Sequence, residues 1–236
     1  MTANPHVEEV GHSHRDISAG AARAAVFGMS DGLTTNVALI LGVAGAHPGA
    51  SFVRLAGIAG LIGGAFSMAA GEWVSMRAQA ELLERELAIE RRALARMPDT
   101  ERRELAAIYK GRGVDPELAD RMARDIHRDP ERALEVHARE EMGINPAQLG
   151  SPVKASLSSF ATFAVGALIP LLPWFFGHGR AAEMISLVLA AVAAGLVGWA
   201  LSRFTGRGPL RTVARSIGLV AAASAVTYGV GALVGA

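Results

Sequence analysis

Residues 21–46 read AARAAVFGMSDGLTTNVALILGVAGA, a run long enough to cross a bilayer as one helix, with the carboxylate of Asp31 set inside it. An acid at membrane depth costs roughly 2.5–3.5 kcal/mol even on lenient insertion scales, so such residues face a polar cavity or a partner and mark a pathway. Asp31, within Gly28-Met29-Ser30-Asp31-Gly32, is therefore the first candidate site residue. The plainer reading makes it a cap at a helix break beside Gly28 and Gly32.

The rest of the chain has the same character. Its 236 residues are 51% hydrophobic and 6% aromatic, with 27 glycines, which is too apolar and too rich in small residues for an ordinary soluble domain. Small residues suit helices that approach closely in lipid. Four further stretches reach the roughly 20 apolar residues of a span: Phe52 to Met76, Ala155 to Phe176, Ala181 to Phe204 and Thr212 to Val234. The expected fold is an all-α membrane protein with five transmembrane helices. Its order is a polar tail (1–18), spans one and two (19–76), a polar helical insert (77–151), and spans three to five (152–236).

Orientation follows from basic residues near span ends. Arg203, Arg207 and Arg211 place their loop in the cytoplasm, and alternation then puts the tail and the insert inside and the C-terminus outside. The tail carries His6, His12 and His14 but lacks the pattern of a cleaved signal peptide, and it reads as a disordered polar end. The Ala, Gly and Arg bias, without an organelle signal, points to a bacterial inner membrane.

Zero cysteines exclude disulfides, thiolate metal sites and a cysteine nucleophile. A net charge of +1, with bases interleaved among acids, excludes a nucleic-acid surface. A di-metal enzyme in a helical bundle commonly uses Glu-x-x-His pairs. The spans and insert contain none, and the one match, Glu9 with His12, lies in the tail. No catalytic residue is assigned and no enzyme is expected.

In the second span Met68, Glu72 and Met76 recur every four residues and share one helix face. Thioether and carboxylate together suit Fe(II) or Mn(II) over hard Mg(II) and Ca(II). Two plainer readings stand beside this: methionines that fill core gaps, and a Glu72 paired with Arg23 or Arg77. Gly28 with Gly32, and Gly60 with Gly64, place small residues on one face, for packing within the bundle or against a second copy. The prolines Pro170 and Pro173 are expected to kink the third span.

The insert is helical by pattern. Residues 77–97 continue the second span without Gly or Pro, and Pro98-Asp99-Thr100 reads as a stop and a new start for a helix over 101–110. Asp115-Pro116 and Asp129-Pro130 open two more helices, ending near Gly143 and Pro146. Glu81 with Glu84, and Glu101 with Glu104, can converge on an ion, with Glu90, His137 and Glu141 nearby. Interleaved arginines make a solvated charged surface the stronger reading from the residues alone.

Three segments carry a resemblance: residues 26–34 (VFGMSDGLT), 66–75 (FSMAAGEWVS) and 166–173 (GALIPLLP). In this order, and separated by a charged helical insert, they resemble the vacuolar iron transporter family, over nearly everything from about Arg15 to the C-terminus. The resemblance implies a homodimer in lipid that exports cytosolic Fe(II), and often Mn(II), in exchange for protons, with ions passing along the dimer interface. Co(II) and Zn(II) are further candidate cargo, and no prosthetic group is implied. On this comparison Asp31 and Met68 match membrane metal ligands, and Glu72 the acid of the second-span motif. Glu90, Glu101, Glu104 and Glu141 match glutamates of a cytoplasmic metal-binding domain. Ala93 stands where another glutamate is expected, and His137 and Ala138 where methionines are common, so His137 can substitute as a ligand while the alanines cannot. The competing reading is a membrane-anchored metal sensor or scaffold that binds ions without moving them.

Overall fold

The computed structural model describes residues 20–143 and 150–235, and among them it is built of helices. The spans are α1 (Gly20–Gly45), α2 (Ala50–Arg96), α6 (Pro152–Leu171), α8 (Gly179–Thr205) and α9 (Pro209–Val234). Each is long and apolar enough to cross a membrane. The tail histidines His6, His12 and His14, and the predicted helix end near Pro146, lie outside the described residues.

α1 is the hub, packed by α2, α6, α8 and α9. Its seam with α6 is made by backbone approach: a Cβ at Gly28 or Gly32 would fall onto Ser159, Thr162 or the Phe163 carbonyl, and one at Gly166 onto the Met29 carbonyl. Buried Asn36 adds an anchor, its Nδ2 donating to the Ala167 carbonyl at 2.6 Å. Gly64 is filled from the other side by the Phe163 ring, and Gly60 faces Asn36 and Leu39 of α1. All four candidate packing glycines therefore serve contacts inside one chain, so at Gly28 and Gly32 the room they make is occupied by α6 and not by a second copy of α1.

α2 is one uninterrupted helix of 47 residues, about 70 Å long at 1.5 Å per residue. A hydrocarbon core is about 30 Å thick. The helix therefore extends far past the bilayer, as the absence of Gly and Pro over 77–97 predicts. Its projecting end carries α3 (Pro98–Gly111), α4 (Pro116–Ile126) and α5 (Pro130–Glu140). Pro98 is the first residue of α3, so that helix begins three residues before the predicted start, where a missing N–H costs nothing. Asp115 and Asp129 cap α4 and α5 by accepting from the backbone N–H groups of Glu117, Leu118, Glu131 and Arg132. A small core of Leu105, Ala106, Ala123, Ile126 and Ala133 joins the three helices.

The third span ends sooner than predicted. α6 stops at Leu171, and a single turn, α7 (Pro173–Phe176), follows. The carbonyl of Pro170 accepts from the Ser186 hydroxyl at 2.7 Å, and that of Trp174 from Arg54 Nη1 at 3.2 Å. Partners from α8 and α2 thus satisfy a helix end whose own ladder the prolines interrupt.

Gly32→Ala is expected to destabilise the protein by about 1–3 kcal/mol, because the methyl group must displace the α6 backbone. Gly63→Ala, where a Cβ meets nothing within 4 Å, is expected to be neutral or stabilising by up to about 1 kcal/mol. Thermal unfolding of the detergent-purified variants measures both.

Candidate metal centre

Helix packing on the projecting end of α2 brings together Glu90 of α2, Glu101 of α3 and His137 of α5. Each offers an oxygen or nitrogen within 4.8 Å of the others, and all three residues are buried. His137 is fully enclosed at 0% exposure, with Nδ1 3.0 Å from Glu90 Oε1 and 3.5 Å from Glu141 Oε2. The 3.0 Å approach lacks hydrogen-bond alignment, so Glu90 Oε1 and both His137 nitrogens are buried without a hydrogen-bond partner.

Burial pushes the Glu90 carboxyl above its ordinary value of 4.5, helped by the Glu141, Glu101 and Glu104 carboxylates and opposed by His137. Glu101 is raised first by burial and then by Glu104. Carboxylates that disfavour one another's charge while enclosing an imidazole make a site that a divalent cation relieves. His127, at the end of α4, packs edge-on against His137 with ring centroids 5.3 Å apart, and burial lowers its pKa.

Glu141 and Glu104 lie at the rim of this cluster, both exposed. Glu81 and Glu84 are not brought to it. Nine residues at 3.6 per turn put Glu81 on the opposite side of α2 from Glu90. There Glu81 accepts from Arg77 Nε at 2.8 Å, and Glu84 is exposed.

In the spans the three candidates occupy separate surroundings. Asp31 lines a groove of ≈ 600 Å³ between α1 and α9, with Ser30, Thr34 and Thr227, and its Oδ1 accepts from the Thr35 hydroxyl at 3.1 Å. Met68 packs on the cluster of Ala65, Phe163 and Ala167, the gap-filling role that its residue type allows. Glu72 accepts from Arg23 Nη2 at 2.9 Å, with only 14% of its side chain exposed. Among the described residues no hydrogen bond or ion pair joins Asp31 to Glu72.

His127 and the Arg23–Glu72 pair were open to different degrees in the sequence. The ion pair was one of two alternatives for Glu72. His127 carried no signal, because its role arises where the end of α4 meets α5, a contact that no spacing announces.

A sequence model of the VIT family matches residues 22–232. The chain is 36% identical over 230 residues to the vacuolar iron transporter of Acanthamoeba castellanii, covering 94% of this chain and 83% of that one. It is 30% identical over 220 residues to vacuolar iron transporter 1 of Oryza sativa, covering 92% and 87%, and 30% identical over 219 residues to vacuolar iron transporter 1 of Arabidopsis thaliana, covering 92% and 88%. These relatives are named as transporters and not as enzymes. With a match that runs from the start of α1 nearly to the end of α9, this membrane-spanning chain belongs to the VIT family.

Proposed function

We propose that the protein transports divalent iron, and also Mn(II), out of the cytosol in exchange for protons, as a homodimer in a bacterial inner membrane. The tail and residues 77–151 are cytoplasmic in this reading and the C-terminus is outside. The observation that carries it is the buried Glu90–Glu101–His137 cluster at the end of a helix whose membrane portion bears Glu72. Oxygen and imidazole donors at that cluster suit Fe(II), Mn(II), Co(II) or Zn(II) as cargo.

Capture begins at the insert, where four carboxylates concentrate cations. At the membrane mouth Glu72 is held by Arg23, so an arriving ion must displace a guanidinium that is itself 67% exposed. A pair this open is worth about 1 kcal/mol or less, and a doubly charged ion competes with it. Asp31 then receives the ion on the open α1–α9 side, where a second copy can complete the coordination shell. Protons compete with the cation for the same oxygens, which couples the two fluxes. Large apolar side chains exposed along the spans, among them Phe27, Phe66 and Trp73, are available to lipid or to that second copy.

In proteoliposomes with a pH gradient, Asp31→Asn is expected to reduce Fe(II)-driven proton movement to the level of empty vesicles. Undiminished flux would sink the antiport mechanism, and binding without flux in the unaltered protein would establish the sensor reading instead. Arg23→Gln is expected to lower the ion concentration needed for half-maximal flux, because Glu72 is no longer held.

The raised carboxyls set the sign of a pH effect. Between 4.5 and their folded-state values Glu90 and Glu101 bind more protons in the folded protein than in the unfolded chain. The stability they contribute is complete below pH 4.5 and is lost as pH rises through the folded values. Divalent ions need the ionised form. Mn(II) should therefore raise the melting temperature more at neutral pH than at about pH 5, and Glu90→Gln should reduce that difference to the part that Glu101 carries.

A further inference from the structure

The insert holds one histidine that the acidic cluster does not account for. His127 Nδ1–H donates to the Ala123 carbonyl at 2.9 Å, which fixes the tautomer and leaves the lone pair on Nε2. That Nε2 is closed off from solvent and has no hydrogen-bond partner. A ring whose one nitrogen is tied to a backbone carbonyl while the other is free is oriented as metal-ligating histidines are.

Its neighbours share the same deficiency. Eight buried side-chain oxygen or nitrogen atoms lack a partner among the described residues, and four of them meet here: Glu90 Oε1, His127 Nε2, and Nδ1 and Nε2 of His137. Buried polar groups are ordinarily satisfied, so this concentration points to a ligand that accepts one lone pair each from Glu90, His127 and His137, whose ring has a single lone pair to give. One such atom from each of these three residues, carried by α2, the end of α4 and α5, makes a donor set for a cation.

Ring geometry agrees. With metal–nitrogen bonds of 2.0–2.1 Å, and ring centres roughly 1.1 Å further out, two imidazoles at a tetrahedral angle have centroids about 5.2 Å apart. The centroids of His127 and His137 are 5.3 Å apart with ring planes at 80°. His127 Nε2 stands outside the 4.8 Å span that joins Glu90, Glu101 and His137, so its ligation of the same ion would require a turn of the ring.

We infer that His127 is a ligand of the insert, completing with His137, Glu90 and Glu101 a two-imidazole, two-carboxylate site whose preference lies with Co(II) and Zn(II) over Mn(II). Imidazole donors raise affinity along the order that runs from Mn(II) up through Fe(II) and Co(II), with Zn(II) also well served by nitrogen. Such a site ranks cargo before the ion reaches the membrane. The inference rests on reading the insert as the ion-capturing part of a transporter, and binding and flux are therefore measured separately.

The test uses the full chain in detergent, with His6, His12 and His14 replaced by alanine so that the tail does not report. Co(II) is titrated into this protein and its His127→Gln variant, following the visible d–d bands that a tetrahedral nitrogen–oxygen site intensifies, and Mn(II) affinity is measured by competition. His127→Gln is expected to weaken Co(II) about tenfold or more and to diminish the visible bands, while Mn(II) affinity moves far less. Equal Co(II) titrations and equal spectra would overturn the assignment. X-ray absorption of the unsubstituted-at-127 protein with one equivalent of Zn(II) reads the site without depending on the variant's folding: two imidazoles per ion support it, and one overturns it. A two-imidazole site in a protein that moves no ion across proteoliposomes would sustain this inference while removing the transport reading. Unimpaired transport with a single imidazole would do the reverse.

Discussion

Apolar side chains gain nothing by leaving lipid tails for one another, so helices in a membrane are held by close backbone approach and by hydrogen bonds between them. The α1–α6 seam uses both. Gly28, Gly32 and Gly166 let the two backbones meet, and Asn36 donates to the Ala167 carbonyl at 2.6 Å. This contact fixes how α1 is turned. With its glycine face committed to α6, Asp31 is left on the side that opens toward α9. The position of the one carboxylate in the first span is thus a consequence of which neighbouring residues are small.

The remaining acids are sorted by what surrounds them. Glu72 meets an arginine at the end of its span, and Glu81 an arginine on a solvated helix face. Glu90 and Glu101 meet other carboxylates and an enclosed imidazole. Paired acids are already neutralised by a side chain of the same molecule, whereas the cluster on α2, α3 and α5 holds negative charge that only a proton or an external cation can compensate. The chain therefore separates a cluster of acids without an internal counter-cation from an acid paired with an arginine near the end of its span.

Much of this order can be read from residue types, and what cannot be read has a common cause. Five apolar runs predict five spans, and an unbroken 77–97 predicts the projecting helix, because length and the absence of breakers are local properties. Pro after Asp locates α4 and α5 for the same reason. Periodicity tells which residues share a face but not what lies opposite that face. So the glycine pairs are visible in the sequence while their partner α6 is not, and Met68 shares a stripe with Glu72 yet packs on Phe163. Glu101 and Glu104 look equivalent three residues apart. Only packing against α2 and α5 buries the first and exposes the second.

One spacing ties the insert to the membrane. Glu72 and Glu90 are eighteen residues apart on an unbroken helix, which is five full turns, so they lie on the same face about 27 Å from each other. Between them that face carries Met76, Gln79, Leu83 and Glu86, with Leu83 buried. Its oxygen-bearing side chains, Glu72, Gln79 and Glu86, stand seven residues or about 10.5 Å apart along the axis, too widely spaced for one to hand an ion directly to the next. On the proposed route a cation would have to cross those gaps, and α2 would then serve as a spacer that holds a charged cluster at a set distance from the mouth. Clustered negative charge raises the local concentration of cations without binding each one on its way. If the proposed function holds, loss of the cluster is expected to shift the ion concentration needed for half-maximal flux and to leave the maximal rate, set in that reading by Glu72 and Asp31, unchanged.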